Sequence, residues 1–167
     1  MPSLKAVVLV GPMGVGKTTI GRRLAKELKL PFVDTDAIIT KSHGPIPALF
    51  ENIGEAGFRE IEEDVVMSQL ATLSIVATGG GAILSARTRE ALSVATVVYL
   101  YTDGRHIANR LAKGNRPLLK NGINDWRSIY ESRKPFYEEV ADFTIDTSGV
   151  SLADTVKIIR ERLESNG

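Results

Sequence analysis

A strand-like run, Ala6 to Val10, leads directly into Gly11-Pro-Met-Gly-Val-Gly16-Lys17-Thr18, and a helical pattern begins where that octapeptide ends. The spacing is G-x-x-x-x-G-K-[ST] between a strand and a helix, the context in which this pattern cradles phosphates. Glycine lets the backbone wrap closely around phosphate oxygens, and several N–H groups then collect in a concave nest at a helix N-terminus, where the aligned peptide dipoles favour negative charge. On that chemistry Gly14, Val15, Gly16, Lys17, Thr18 and Thr19 are expected to hold a nucleotide. Lys17 would reach the β- and γ-phosphates, and the Thr18 hydroxyl would bind magnesium.

Other residues could share the site. A GTPase would carry a base-reading Asn-Lys-x-Asp, which does not occur, and a motor ATPase would end an apolar strand in Asp, whereas Ser74 to Ala77 runs into Thr78-Gly79-Gly80-Gly81. The acid comes instead from Phe32-Val33-Asp34-Thr35-Asp36. Two residues apart on an extended strand end, Asp34 and Asp36 could point to one face, one assisting the magnesium shell and the other accepting from a substrate hydroxyl; a helix cap is the plainer alternative. Gly79 to Gly81 imply close backbone approach or positive φ, and read as a substrate wall or as a flexible turn. Arg59 has Glu62 three residues on, so it is either a surface ion pair or a fork held ready for a carboxylate. Arg133 is a second candidate of that type, and Arg116 could swing in as a lid arginine on the transferring phosphoryl group. His43 and His106 lack ligand-spaced partners and read as ordinary polar residues.

These residues must be positioned by the elements between them. Ala6 to Val10, Pro31 to Val33, Ser74 to Ala77, Ala95 to Tyr101 and Phe143 to Ile145 read as buried strands, separated by helix-length segments with apolar residues three and four apart, such as Ile20, Leu24 and Leu28. Apolar strands joined by helical crossovers make a parallel sheet covered on both faces, so a five-stranded α/β domain is expected. The loops after strands one, two and three would then open on one edge, where such sheets bind ligands. Residues 36–70, punctuated by Gly44-Pro45-Ile46-Pro47 and Gly54, read as an inserted subdomain with several helical pieces. Residues 112–124 read as a functional loop or lid.

A chain of 167 residues, 43% hydrophobic and 25% charged, is expected to form one domain able to bury a core without disulfides, and it contains no cysteine. Its formal net charge of +1 gives no reason to expect a nucleic-acid or membrane partner. Neutrality hides two regions: six acids against one Arg from Glu51 to Asp64, and eight basic residues against two acids from Arg105 to Lys134. They read as solvated helix faces or as a cationic lid over an anionic ligand. No signal-peptide pattern or membrane-length apolar stretch is present, and a cytoplasmic monomer is expected.

Taken together, Gly11 to Gly21, Asp34-Thr-Asp36, Gly54-Glu-x-x-Phe-Arg-x-x-Glu62, Ala77-Thr-Gly-Gly-Gly81, Arg116-Pro-Leu-Leu119 and Arg133-x-x-x-Tyr137 make the chain resemble the shikimate kinases over essentially its whole length. The phosphate loop alone fits many kinases; the combination is specific. The resemblance implies a P-loop NTPase fold, a three-layer α/β/α sandwich with strand order 2-3-1-4-5, and a single kinase domain. Its core would cover residues 1–35, 71–111 and 125–167. It further implies phosphorylation of the 3-hydroxyl of shikimate by ATP with Mg2+. By position, Lys17, Asp36 and Arg116 would be catalytic. Arg110 would stack on adenine, and Arg59, Arg133 and Gly79 to Gly81 would bind shikimate beside Asp36. Thr18 would ligate magnesium with Asp34 in its outer shell. Thr40 departs from the resemblance, standing where many members carry an acid.

Overall fold

The computed structural model describes residues 5–107 and 122–166. Five strands, β1 (Val7–Val10), β2 (Phe32–Asp34), β3 (Ile75–Ala77), β4 (Thr96–Tyr101) and β5 (Phe143–Asp146), form one sheet of order β2-β3-β1-β4-β5. Every pairing is parallel, and β1 lies at the centre with Val8 opposite Val76 on one side and Val97 on the other. All four β1 residues are buried, as a strand covered on both faces requires.

Alternation along β1 sorts the core into two halves. Val8 and Val10 pack with Val66, Tyr99, Trp126, Tyr130 and Tyr137 on one face. Val7 and Leu9 pack with Ile20, Leu24, Val156 and Ile159 on the other. Apart from Tyr99 on β4, the first group comes from helices α3 (Ile46–Gln69) and α5 (Ile123–Val140), the second from α1 (Lys17–Leu28) and α6 (Leu152–Asn166). This is the expected three-layer sandwich. Helix α1 stops because Lys29 turns left-handed, at φ 57°, and Pro31 follows two residues later.

Between β2 and β3 the chain makes helix α2 (Thr35–His43) and the kinked α3, which share a small core of Ile39, Leu49 and Phe58. The kink is at Gly54, whose φ 72° and ψ 176° are open essentially to glycine alone. After β3 come a short turn, Ala82–Leu84, and helix α4 (Ala86–Ala91). The segment read as a lid lies outside the described residues up to 121. Its last two residues, Ile123 and Asn124, already belong to α5. No described helix is long and apolar enough to cross a membrane.

Candidate active site

Because the sheet is parallel, the loops leaving β1, β2 and β3 emerge on the same edge, with β3 seated between β2 and β1. There they enclose a cleft of about 290 Å³ lined by Gly14, Gly16, Lys17, Thr18, Thr19, Asp34, Asp36, Gly79 and Gly80, together with Met13 and Thr78. Residues named from three separate sequence segments therefore share one space.

The loop after β1 is built by backbone conformation. Gly11, Gly14 and Gly16 all have positive φ, and a Cβ on Gly11 would lie 2.7 Å from the Leu100 carbonyl oxygen. Gly16 caps α1 without a side-chain hydrogen bond, so the amides of the first helical turn are not claimed by a capping side chain. Lys17 is buried, and its Nζ donates to the carbonyls of Gly11 at 2.7 Å and Pro12 at 2.9 Å. The ammonium is thereby curled over its own loop. Val15 contributes its side chain to the core, so only its backbone can serve a ligand.

The Asp34 and Asp36 pair does not sit on an extended strand. The strand ends at Asp34 and α2 begins at Thr35, so Asp34 caps the helix, its Oδ1 accepting from Asp36 N at 2.9 Å and Ala37 N at 3.3 Å. Its other oxygen accepts from the Thr18 hydroxyl at 3.0 Å. The cap reading holds for Asp34, which is also a partner of Thr18, and Asp36 stands on the first helical turn and lines the cleft. A hydroxyl that donates to a carboxylate turns its lone pairs elsewhere, and hard oxygen donors are what Mg2+ takes, usually only one or two from protein. Thr18 and Asp34 therefore fit that ion.

The glycine triplet answers the question of close approach or positive φ in favour of close approach. None of the three has positive φ. A Cβ on Gly79 would lie 2.9 Å from both Asp36 Oδ1 and Glu62 Oε2; on Gly80, 3.3 Å from the Met13 amide nitrogen and 3.5 Å from Arg133 Nη1; on Gly81, 2.7 Å from Arg59 Nη1. Each glycine makes room for a different polar group. Tyr137 fixes this wall by donating its hydroxyl to the Gly80 carbonyl.

Two arginines meet at the wall. Arg59 Nη1 pairs with Glu62 Oε1 at 2.8 Å, and its guanidinium lies over the Phe58 ring at 5.2 Å. Glu62 is only 2% exposed, so this is no surface pair. Burial pushes the Glu62 carboxyl above the ordinary glutamate range, with Arg59 opposing and Asp36 adding to the shift. The Arg59 Nε is buried with no partner among the described residues. Arg133, also buried, has its pKa drawn down mainly by burial; Tyr137 opposes this and Arg59 reinforces it. Two guanidiniums beside adjacent glycines repel each other, and a planar anion such as a carboxylate would relieve both.

A second cleft, of about 240 Å³, opens where β4 and β5 end, between Thr102, His106 and the turn Thr147 to Ser151. Arg110 and Arg116 lie outside the described residues. Three further groups had no role assigned from the sequence: Thr78 in the cleft lining and Tyr137 on Gly80, which stood in the motifs of the resemblance, and Trp126, whose indole Nε1 donates to the Met13 carbonyl at 2.7 Å. Such contacts join residues far apart in the chain and leave no local pattern.

The model of the shikimate kinase family matches residues 13–164. The chain belongs to the shikimate kinase family. A shikimate kinase from Rhodococcus erythropolis is 46% identical over 162 residues, covering 94% of this chain and 96% of that protein. The solved shikimate kinase from Acinetobacter baumannii, itself in complex with shikimate, superposes with a TM-score of 0.90 at 41% identity over 99% of this chain and 96% of the other. A gluconokinase from Sinorhizobium meliloti has a TM-score of 0.55 at 17% identity, covering all of this chain and 99% of its own, a likeness of fold alone.

Proposed function

We propose that this shikimate kinase family member transfers the γ-phosphoryl group of ATP to the 3-hydroxyl of shikimate, giving shikimate 3-phosphate and ADP on the route to chorismate and the aromatic amino acids. The observation that carries the reading is the glycine wall. Asp36 and Glu62 press on Gly79, Arg133 on Gly80 and Arg59 on Gly81, beside a phosphate loop on the same sheet edge. An acidic polyol would find cations for its carboxylate at one end and a carboxylate for its hydroxyl at the other.

In this reading Arg59 and Arg133 hold the substrate carboxylate, with Glu62 fixing the fork of Arg59. The Gly79 to Gly81 backbone contacts substrate hydroxyls, and Asp36 orients the reacting hydroxyl and accepts its proton as the new O–P bond forms and the bond to the ADP oxygen breaks. Gly14, Gly16 and Thr19 hold the nucleotide phosphates, with Val15 using its backbone. Lys17 exchanges the Gly11 and Pro12 carbonyls for phosphate oxygens. Thr18, backed by Asp34, would hold Mg2+, which would offset the charge of the nucleotide phosphates. Helices α2 and α3 form the substrate-binding insertion. Arg110 on the adenine and Arg116 on the transferred group keep the roles the resemblance implies. A cytoplasmic monomer completes the proposal: the large apolar side chains exposed among the described residues, Ile53, Val94 and Ile158, lie on three separate elements.

The test is coupled ADP release with magnesium and shikimate, quinate, gluconate or nucleoside monophosphates side by side. Turnover is expected with shikimate, and its absence refutes the assignment. Asp36→Asn should lower kcat by roughly 10²- to 10⁴-fold while shikimate still binds; a near-normal kcat would remove Asp36 from the chemistry.

A further inference from the structure

One face of α5 carries Trp126, Tyr130, Arg133 and Tyr137, spaced four, three and four residues apart, and all four are buried. Tyr137 and Arg133 serve the glycine wall. Trp126, at the other end of the face, reaches the phosphate loop: its Nε1–H donates to the Met13 carbonyl at 2.7 Å. The indole has little freedom. It is 1% exposed and packs on Tyr130 with ring centroids 5.1 Å apart. Its far edge lies where a Cβ on Gly104 would come within 2.8 Å.

The carbonyl that Trp126 holds belongs to the Met13–Gly14 peptide. In a trans peptide the N–H points opposite to the C=O, and this chain has no cis bonds among its described residues. Fixing the Met13 oxygen on the indole therefore aims the Gly14 amide away from the indole, and both Met13 and Gly14 line the phosphate cleft. Gly14 has φ 84°. A peptide preceding a glycine flips at low cost, because glycine accepts either sign of φ. The loop thus carries a weak joint at the amide that faces a phosphate, and the indole is the group that braces it.

We infer that Trp126 is a positioning residue for the phosphoryl donor, holding the Met13–Gly14 peptide so that its amide meets nucleotide phosphate. The inference rests on the reading of the cleft as a nucleotide site, and it is tested by ADP affinity, which needs no turnover and no particular acceptor. Trp126→Phe keeps an aromatic ring and removes the donor. ADP affinity, measured by calorimetry, should fall about fivefold, the worth of one hydrogen bond, with shikimate KM within about twofold of the parent. Tyr99→Phe is the control: it removes a hydroxyl bonded to Tyr130 at 2.6 Å in the same cluster, a hydroxyl whose partner sits on α5 rather than on the loop. It should leave ADP affinity unchanged. Equal losses in both variants, or none in Trp126→Phe, overturn the inference.

A measurement on the parent protein stands beside the variants. Trp126 is the only tryptophan, so the ¹⁵N-labelled chain has one indole N–H resonance. It should shift on titration with ADP and magnesium, and an unmoved resonance at saturation also overturns the inference. Failure of the shikimate assignment would look different, with ADP binding and the indole shift intact but no shikimate-dependent ADP release.

Discussion

The loop after β1 and the loop after β3 face the same cleft, and both are glycine-rich. Gly11, Gly14 and Gly16 take φ values of 152°, 84° and 103°, whereas Gly79, Gly80 and Gly81 have no positive φ. In the first loop glycine supplies a backbone shape, and N–H groups of that same short segment would meet a phosphate. In the second it supplies absence of volume, and the space is taken by side chains arriving from α2, α3 and α5, which would meet the acceptor. One half of the site is local and the other is assembled, so the two should fail in different ways.

The largest effect is expected on the local half. Lys17→Ala removes a cation for which the loop offers no substitute, and turnover should fall by roughly 10²- to 10³-fold. Calorimetry should show weakened ATP binding with shikimate binding little changed; unaltered ATP affinity and turnover would sink the phosphate-loop assignment. The assembled half is broken most cleanly by Gly81→Ala. Gly81 has an ordinary φ of −99°, so the added methyl strains no backbone, but it occupies the place of the Arg59 guanidinium. Displacing Arg59 should raise shikimate KM by about tenfold to a hundredfold, the loss of a charge-assisted pair, with ATP KM unchanged. Equal effects on both substrates would show that the halves are not separable.

Gly54→Ala sharpens the comparison from the other side. Gly54 needs its φ of 72°, and a Cβ there would meet nothing within 4 Å. The cost is conformational, roughly 1–3 kcal/mol of stability, and denaturant unfolding should record it while Gly81→Ala stays near the parent.

The same distinction explains what the sequence made legible. The five strands followed from apolar runs, because each is a property of a few consecutive residues, whereas their order was legible only through the family resemblance. The phosphate loop was legible for the same reason, and so was the Arg59–Glu62 pair at helical spacing. The sequence could not say that the pair is buried, since burial depends on α3 packing beside the wall. Nor could it decide between cap and ligand for Asp34. The strand-to-helix junction at Thr35 makes it a cap, and Thr18, sixteen residues away, makes it more than one. Trp126 on Met13 joins residues 113 apart, and Tyr137 on Gly80 joins residues 57 apart. A ring at one position and a carbonyl at another carry no joint pattern. The acidic run from Glu51 to Asp64 is mostly a solvated face, as composition suggests, with Glu62 the buried exception.

Glu62 yields the smallest effect, and it tests whether the assembled half depends on charge as well as space. Its carboxyl titrates above the ordinary glutamate range because burial penalises the ion more than Arg59 favours it. Between the unfolded value and the raised native one, the native state binds more protons than the unfolded state. Stability attributable to Glu62 is therefore full below the unfolded value and is lost as pH rises through the folded one. Function runs the opposite way. As pH falls through the same window Glu62 becomes neutral and its charge no longer holds the fork of Arg59, so shikimate KM should climb on the acid side while ATP KM does not. In Glu62→Gln both dependences should disappear: the melting temperature should lose its decline from mildly acidic to neutral pH, and shikimate KM should become flat over that range. An acid limb that persists in Glu62→Gln would assign the titration to another group, and Glu55 Oε2, 3.5 Å from Arg59 Nη2, would still hold the fork by charge.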